Sequence, residues 1–83
     1  PIPLPSRRRL PNGEVVYFIG GQVGPVKIGH TNHLAKRLSK LQIGHPKRLM
    51  VLATLKGGRE LERYFHHRFA TERTSGEWFV RSE

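Results

Sequence analysis

Two short β-branched runs joined by a glycine-rich turn set the first constraint on any fold open to this chain. Val15-Val16-Tyr17-Phe18-Ile19 has the β-branched and aromatic character of a strand, and Val26-Lys27-Ile28-Gly29 reads as a second, shorter one. Between them, Gly20-Gly21-Gln22-Val23-Gly24-Pro25 forms a turn, because the glycines admit positive φ and Pro25 ends the loop. The two runs are expected to pair as an antiparallel hairpin, with Lys27 a cross-hairpin neighbour of Tyr17. Arg37 follows ten residues after Lys27. A phenol, an amine and a guanidinium in this layout suit the handling of a phosphate ester.

The remaining elements follow from periodicity. Thr31 or Asn32 is a candidate cap for a helix running to about Gln42. Leu34, Leu38 and Leu41 recur at i, i+4 and i+7 and form one buried stripe. At about 100° per residue, Arg37 falls about 60° from that stripe, at the border of the core, while Lys36 and Lys40 point outward. Gly44-His45-Pro46 breaks the helix. Leu49 to Leu55 reads as a third strand, apolar enough to be central in its sheet. A second helix is expected from Arg59 to Ala70, with Leu61, Phe65 and Phe69 as its stripe and Glu62 at the edge of it. Ser75 to Val80 reads as a turn and a last short strand. No internal repeat is present.

The bulk numbers place this chain among basic, cysteine-free single domains. Its 83 residues make one domain with one modest core. Fifteen Lys and Arg face six acidic residues, all Glu, for a formal net charge of +9. Charge of this size destabilises a small fold by self-repulsion unless a polyanion uses it. The sequence pI of about 11.2 lies above the range where nucleic-acid binding becomes the leading explanation. An anionic membrane surface fits less well, since no stretch pairs a broad leucine or aromatic face with a lysine face. With no cysteine there are neither disulfides nor thiolate metal sites. No run approaches the roughly 18 apolar residues of a membrane span, and no signal-peptide core is present. The expected setting is therefore cytoplasmic (nucleoid-associated) or nuclear, not secreted. Residues 1–13 read as a flexible arm rich in Pro and Arg, and residues 14–83 as the folded domain.

Elimination narrows the chemistry. The five histidines, His30, His33, His45, His66 and His67, do not make a convincing zinc set. There is no Asp and no nucleophile elbow for a serine triad. The glycines of the first turn lack the Gly-Lys-Ser/Thr of a P-loop. A phosphodiester-cleaving set remains. Tyr17 serves as a base if nearby cations lower its pKa from about 10. Arg37 clamps charge building on the phosphate. A single carboxylate such as Glu62 can hold Mg²⁺ or Mn²⁺, which keeps most of its waters. Each residue also has a plainer reading: Tyr17 as a core aromatic, Lys27 as a solvated edge residue, and Arg37 with Glu62 as an interhelical ion pair.

These residues resemble the GIY-YIG nuclease superfamily. Val15-Val16-Tyr17 stands where its first motif falls, Lys27-Ile28-Gly29 at the second, and Arg37 at the expected distance on the following helix. Leu61-Glu62-Arg63-Tyr64-Phe65-His66 resembles the segment with the family's metal-binding glutamate. Gly76-Glu77-Trp78-Phe79 resembles the closing motif of a phage-type branch known as a DNA-binding domain. The likeness covers residues 14 to 80. It implies an α/β (α+β) fold with a small three-stranded antiparallel sheet flanked by helices, and metal-dependent hydrolysis of DNA. By resemblance, Tyr17 is the general base, Arg37 the phosphate ligand, Glu62 the metal ligand and Gly29 the glycine of close strand–helix packing. Val15-Val16 replaces Gly-Ile, and Lys27 replaces the second tyrosine, which supplies a cation in place of a phenol. His30 is the first candidate for the helper near the arginine, and His45 the second.

Two functions follow. The first is a Mg²⁺-dependent endodeoxyribonuclease that nicks, one site per domain, so that a double-strand break needs a dimer partner or two visits. The alternative is a non-catalytic DNA-binding module of the same fold. In both, DNA docks on Lys36, Lys40, Lys47, Arg48, Arg63 and the arm. Sequence specificity is expected from an appended DNA-recognition domain rather than from these residues.

Overall fold

The computed structural model describes residues 13–81. The expected arm, apart from Gly13, lies outside the described residues. In chain order the elements are β1 (Val15–Gly20), β2 (Val26–Thr31), α1 (Leu34–Ile43), β3 (Met50–Lys56), α2 (Arg59–Arg68), a single 3₁₀ turn (Ala70–Glu72), β4 (Arg73–Ser75) and β5 (Trp78–Phe79). The fold is a small α+β unit built on one antiparallel sheet with two helices. That sheet has five strands in the order β3-β1-β2-β5-β4, where three were expected. The two strands beyond those three form a short C-terminal hairpin, in which β5 is the last short strand read from Ser75 to Val80 and β4 is new. Gly76, at φ 54, makes its turn.

β1 lies between β2 and β3 and is buried on both faces, so its run of Val, Tyr, Phe and Ile needs no polar alternation. Successive side chains serve two cores. Val15, Tyr17 and Ile19 pack with Leu34, Leu38 and Leu41 of α1, and Val16 and Phe18 pack with Leu61 and Phe65 of α2, together with Phe69 just beyond it. Both leucine and phenylalanine stripes thus pack against the sheet where their spacing placed them, Leu34 buried and the other five half-buried. β3, by contrast, is not central. It pairs only with β1 and forms an edge of the sheet. Its continuous apolar run has a different cause: Val51 faces the α1 core while Leu52 faces the α2 core.

The helices begin and end for local reasons. Thr31 and Asn32 do not cap α1. The Thr31 hydroxyl accepts the His33 N–H at 3.0 Å within a turn, and His33 takes the cap position, so the helix starts later than expected. Gln42 closes the loop after α1, since its amide donates to the Lys47 carbonyl (2.8 Å) and accepts the Leu49 N–H (2.7 Å). α2 ends at Arg68 and carries Glu60 and Glu62 in its first turn and His66, His67 and Arg68 in its last, the arrangement that complements the helix dipole. The Arg81 guanidinium donates to the carbonyls of Gly21 (2.6 Å) and Gln22 (3.0 Å) and so ties the last described residue to the first turn. No helix among the described residues is long and apolar enough to cross a membrane.

Candidate functional site

The site forms where one edge of β2 is left without a partner strand. β5 pairs only with Val26 and Lys27, and the Glu77 carbonyl accepts the Ile28 N–H at 3.0 Å; beyond that point β5 does not follow β2. Here a cleft of about 370 Å³ opens, lined by Tyr17, His30, Arg37, Arg59, Glu62 and Glu77. Five different stretches of chain supply these six side chains, and the two faces of the sheet meet across Gly29.

Gly29 makes that meeting possible. It stands opposite Tyr17 in the β1–β2 ladder. A Cβ built there would lie against the Tyr17 hydroxyl, 2.7 Å from its Cζ and 3.2 Å from Glu77 Oε1. A real side chain cannot occupy that point unless the phenol moves. The role expected of this glycine, close packing, therefore holds, but its partner is the phenol of the neighbouring strand rather than a helix.

The register corrects the placing of Lys27. Because the ladder closes at Gly20 opposite Val26, Tyr17 faces Gly29 and Lys27 faces Ile19. Lys27 is largely buried, 3.3 Å from Glu77 Oε1, with its ammonium 5.4 Å from the centre of the Trp78 ring. It is therefore not the cross-hairpin cation of Tyr17, and it does not line the cleft. The expected lowering of the Tyr17 pKa fails with it. Burial pushes this phenol up from 10.0 to about 12; the Arg37 guanidinium pulls it down, while the carboxylates of Glu77 and Glu62 push it further up.

Glu62 is the buried carboxylate of the site, 8 % exposed. His30 Nδ1 is hydrogen-bonded to its Oε1, and His66, one turn along α2, places Nε2 3.4 Å from its Oε2. The same His66 nitrogen donates to the Ile28 carbonyl at 2.8 Å, which fixes it as the protonated one, because a carbonyl only accepts. On its far side His30 Nε2 lies 3.8 Å from Glu14 Oε2, so carboxylates flank this imidazole at both ends. Among the described residues no three His, Cys, Asp or Glu side chains form a metal cage. A divalent cation in this cleft would rest on Glu62, with water and substrate oxygens as its other ligands. That donor set fits a hard cation such as Mg²⁺, which binds through few carboxylates and keeps its waters.

The sequence-derived candidates divide. Tyr17, His30, Arg37 and Glu62 come together; Arg37 is exposed at the cleft. His45 does not join them. It stacks on Trp78 with ring centres 6.0 Å apart and bonds to the Lys47 carbonyl. Lys36, Lys40, Lys47, Arg48 and Arg63 are all exposed. Lys47 and Arg48 line a separate, wider groove with Leu38, Gln42 and Ile43. Three residues of the site were missed. Arg59 and His66 lie three residues before and four after Glu62, a helical spacing that could have found them. Glu77 had been read only as part of a closing motif.

A family model, that of the T5orf172 domain, matches residues 14–83. The chain belongs to the T5orf172 domain family. The matched span begins one residue before β1 and takes in every residue of the cleft. No curated protein and no solved structure matches the chain.

Proposed function

We propose that this T5orf172 domain is a metal-dependent DNA endonuclease of the GIY-YIG type, hydrolysing one phosphodiester per visit. One observation carries the reading: a phenol from β1, a guanidinium from α1 and a buried carboxylate from α2 converge in one cleft of a strongly basic domain. Mg²⁺ on Glu62 would supply Lewis-acid polarisation of the phosphate and of a water. Arg37, exposed at the rim, binds a non-bridging phosphate oxygen and meets the charge that builds there. His30 holds the Glu62 carboxylate at a fixed angle, with His66 beside its other oxygen. Arg59 adds a second cation at the α2 side of the same cleft. DNA is the polyanion that the +9 charge serves, and the exposed Lys36 and Lys40 on α1, with Lys47 and Arg48 after it, contact its phosphates outside the cleft.

A second reading, a DNA-binding module without hydrolysis, draws on two observations. Both Glu62 oxygens already have imidazole partners, and the Tyr17 phenol is pushed away from ionisation. Supercoiled plasmid separates the two. Incubated with Mg²⁺ or Mn²⁺, the parent should convert it to open circles, and Tyr17→Phe and Glu62→Ala should each slow this by about 100-fold or more. Plasmid binding without nicking in either metal favours the module.

A further inference from the structure

The nuclease reading needs a receiver for the proton of the attacking water, and the Tyr17 phenol, buried in the cleft, is a weak base at neutral pH. We propose that Glu77 takes that proton, and that Lys27 is the residue that positions it. The inference rests on the nuclease reading and deepens it.

The geometry singles out Glu77 among the groups in the cleft. Its backbone is anchored to β2 through the Ile28 N–H, and its side chain through the Lys27 ammonium at 3.3 Å. That ammonium is itself packed over Trp78 and is only 15 % exposed, so the anchor is stiff. The carboxylate leans over Gly29 beside the Tyr17 hydroxyl, because one point above Gly29 lies in contact with both. Among the described residues, no hydrogen bond or ion pair engages its second oxygen. Glu62, the other carboxylate of the cleft, is hydrogen-bonded to His30, with His66 3.4 Å from its other oxygen. The remaining groups facing Glu77 are Arg37 and Arg59, which are cations, and His30, which is bonded to Glu62. A carboxylate is a ready base throughout the neutral range, where a phenol is not.

In the step itself, a water O–H bond breaks and its proton passes to the Glu77 carboxylate. The water oxygen forms a bond to phosphorus, the phosphorus–oxygen bond to the leaving sugar oxygen breaks, and that oxygen takes a proton from solvent. Tyr17 then acts as a hydrogen-bond donor to the water or the phosphate. Lys27 gains a purpose as well: where the resemblance calls for a second phenol, this chain uses an ammonium that holds a carboxylate.

The test compares the parent with Glu77→Gln, Glu77→Asp, Lys27→Met and Lys27→Arg. Single-turnover nicking of plasmid in Mg²⁺ is followed from mildly acidic to strongly alkaline pH. Fluorescence anisotropy with a DNA duplex reads binding, and circular dichroism reads folding. Glu77→Gln should slow nicking by about 100- to 10,000-fold while DNA binding stays equal or tightens. Glu77→Asp should retain part of the rate. Lys27→Met should slow nicking, and Lys27→Arg should restore it. The parent's rate should be level from neutral pH into the alkaline range. A folded Glu77→Gln protein that nicks within about threefold of the parent overturns the inference and leaves the nuclease reading standing. A parent rate that climbs about tenfold per pH unit through the alkaline range returns the role to Tyr17. A parent that binds DNA and never nicks overturns both.

Discussion

α1 and α2 flank the same cleft and supply it in opposite ways. From α1 comes Arg37, exposed and facing an open rim. From α2 comes Glu62, buried and hydrogen-bonded to His30 on β2 and near His66 on its own helix. The α2 side is assembled before any ligand arrives; the α1 side is left for the ligand to complete. In the proposed nuclease, a cation that grips a passing phosphate loses little by waiting in water, and a carboxylate that holds a metal ion at one angle gains from being fixed in advance.

The change expected to disturb this arrangement most is made at neither helix. Gly29→Ala puts a methyl where the Tyr17 ring and the Glu77 carboxylate already converge. The Tyr17 ring is 1 % exposed and cannot swing into solvent. Overpacking of this kind should cost about 3 kcal/mol and lower the melting temperature by about 10–20 °C. Combined with Tyr17→Phe, which removes the nearest atom, the loss should be less than additive. A Gly29→Ala protein that melts with the parent would show that the two sides do not meet at this residue.

Alanine at Glu62 and at Arg37 tests the contrast directly. Glu62→Ala strips a buried cluster of its acceptor and should destabilise the fold by about 1–3 kcal/mol. Arg37→Ala should leave stability within about 0.5 kcal/mol of the parent, as is usual for an exposed residue, while slowing nicking about 100-fold. Equal melting shifts for the two would erase the distinction between a prebuilt side and a waiting one.

The Tyr17 phenol reads both sides at once, since Arg37 pulls its pKa down while Glu77 and Glu62 push it up. Its folded value, about 12, lies above the unfolded value of 10.0. Below pH 10 the phenol is neutral in both states, and its contribution to stability is intact. Between pH 10 and pH 12 only the unfolded chain ionises it, so stability falls as pH rises through that window, by about 2–3 kcal/mol. Urea titrations should show this loss in the parent and not in Tyr17→Phe. Arg37→Ala should move the phenolate absorbance step to higher pH, and Glu62→Gln should move it lower. Shifts of the same sign in both variants would mean that one side dominates.

How far the sequence could be read depended on the range of the interaction. Leu34, Leu38 and Leu41, or Leu61, Phe65 and Phe69, declare a helix face by their own spacing, and both stripes pack against the sheet as expected. The hairpin was visible in its β-branched residues and glycines. Its register was not, because it depends on where the ladder closes around the turn, and Lys27 was placed opposite the wrong residue. Arg73-Thr74-Ser75 is exposed throughout and has no apolar pattern, so β4 left no trace. The apolar run of β3 suggested a central strand, whereas its cause was a separate core on each face of an edge strand. Within the site, Arg37 and Glu62 were legible from helical phase. Glu77 is held at the cleft by the Ile28 N–H and by an ion pair with Lys27, fifty residues earlier, and no local pattern encodes that.

The smallest expected effect concerns which side of the molecule the polyanion touches beyond the cleft. Lys36 and Lys40 on α1, with Lys47 and Arg48 in the loop after it, crowd cations on the α1 side, while Arg63 is exposed on α2. If duplex DNA docks on the waiting side, neutralising one of the α1-side cations removes one phosphate contact and lowers the log–log salt slope of binding by about 0.9. Lys47→Ala and Arg48→Ala should each do so, with nicking at low salt little changed. Arg63→Ala should leave the slope where it is. The reverse pattern, a slope that responds to Arg63 and ignores Lys47 and Arg48, would place the duplex against α2. Arg59, also on α2, would then take over from Arg37 as the cation nearest the backbone.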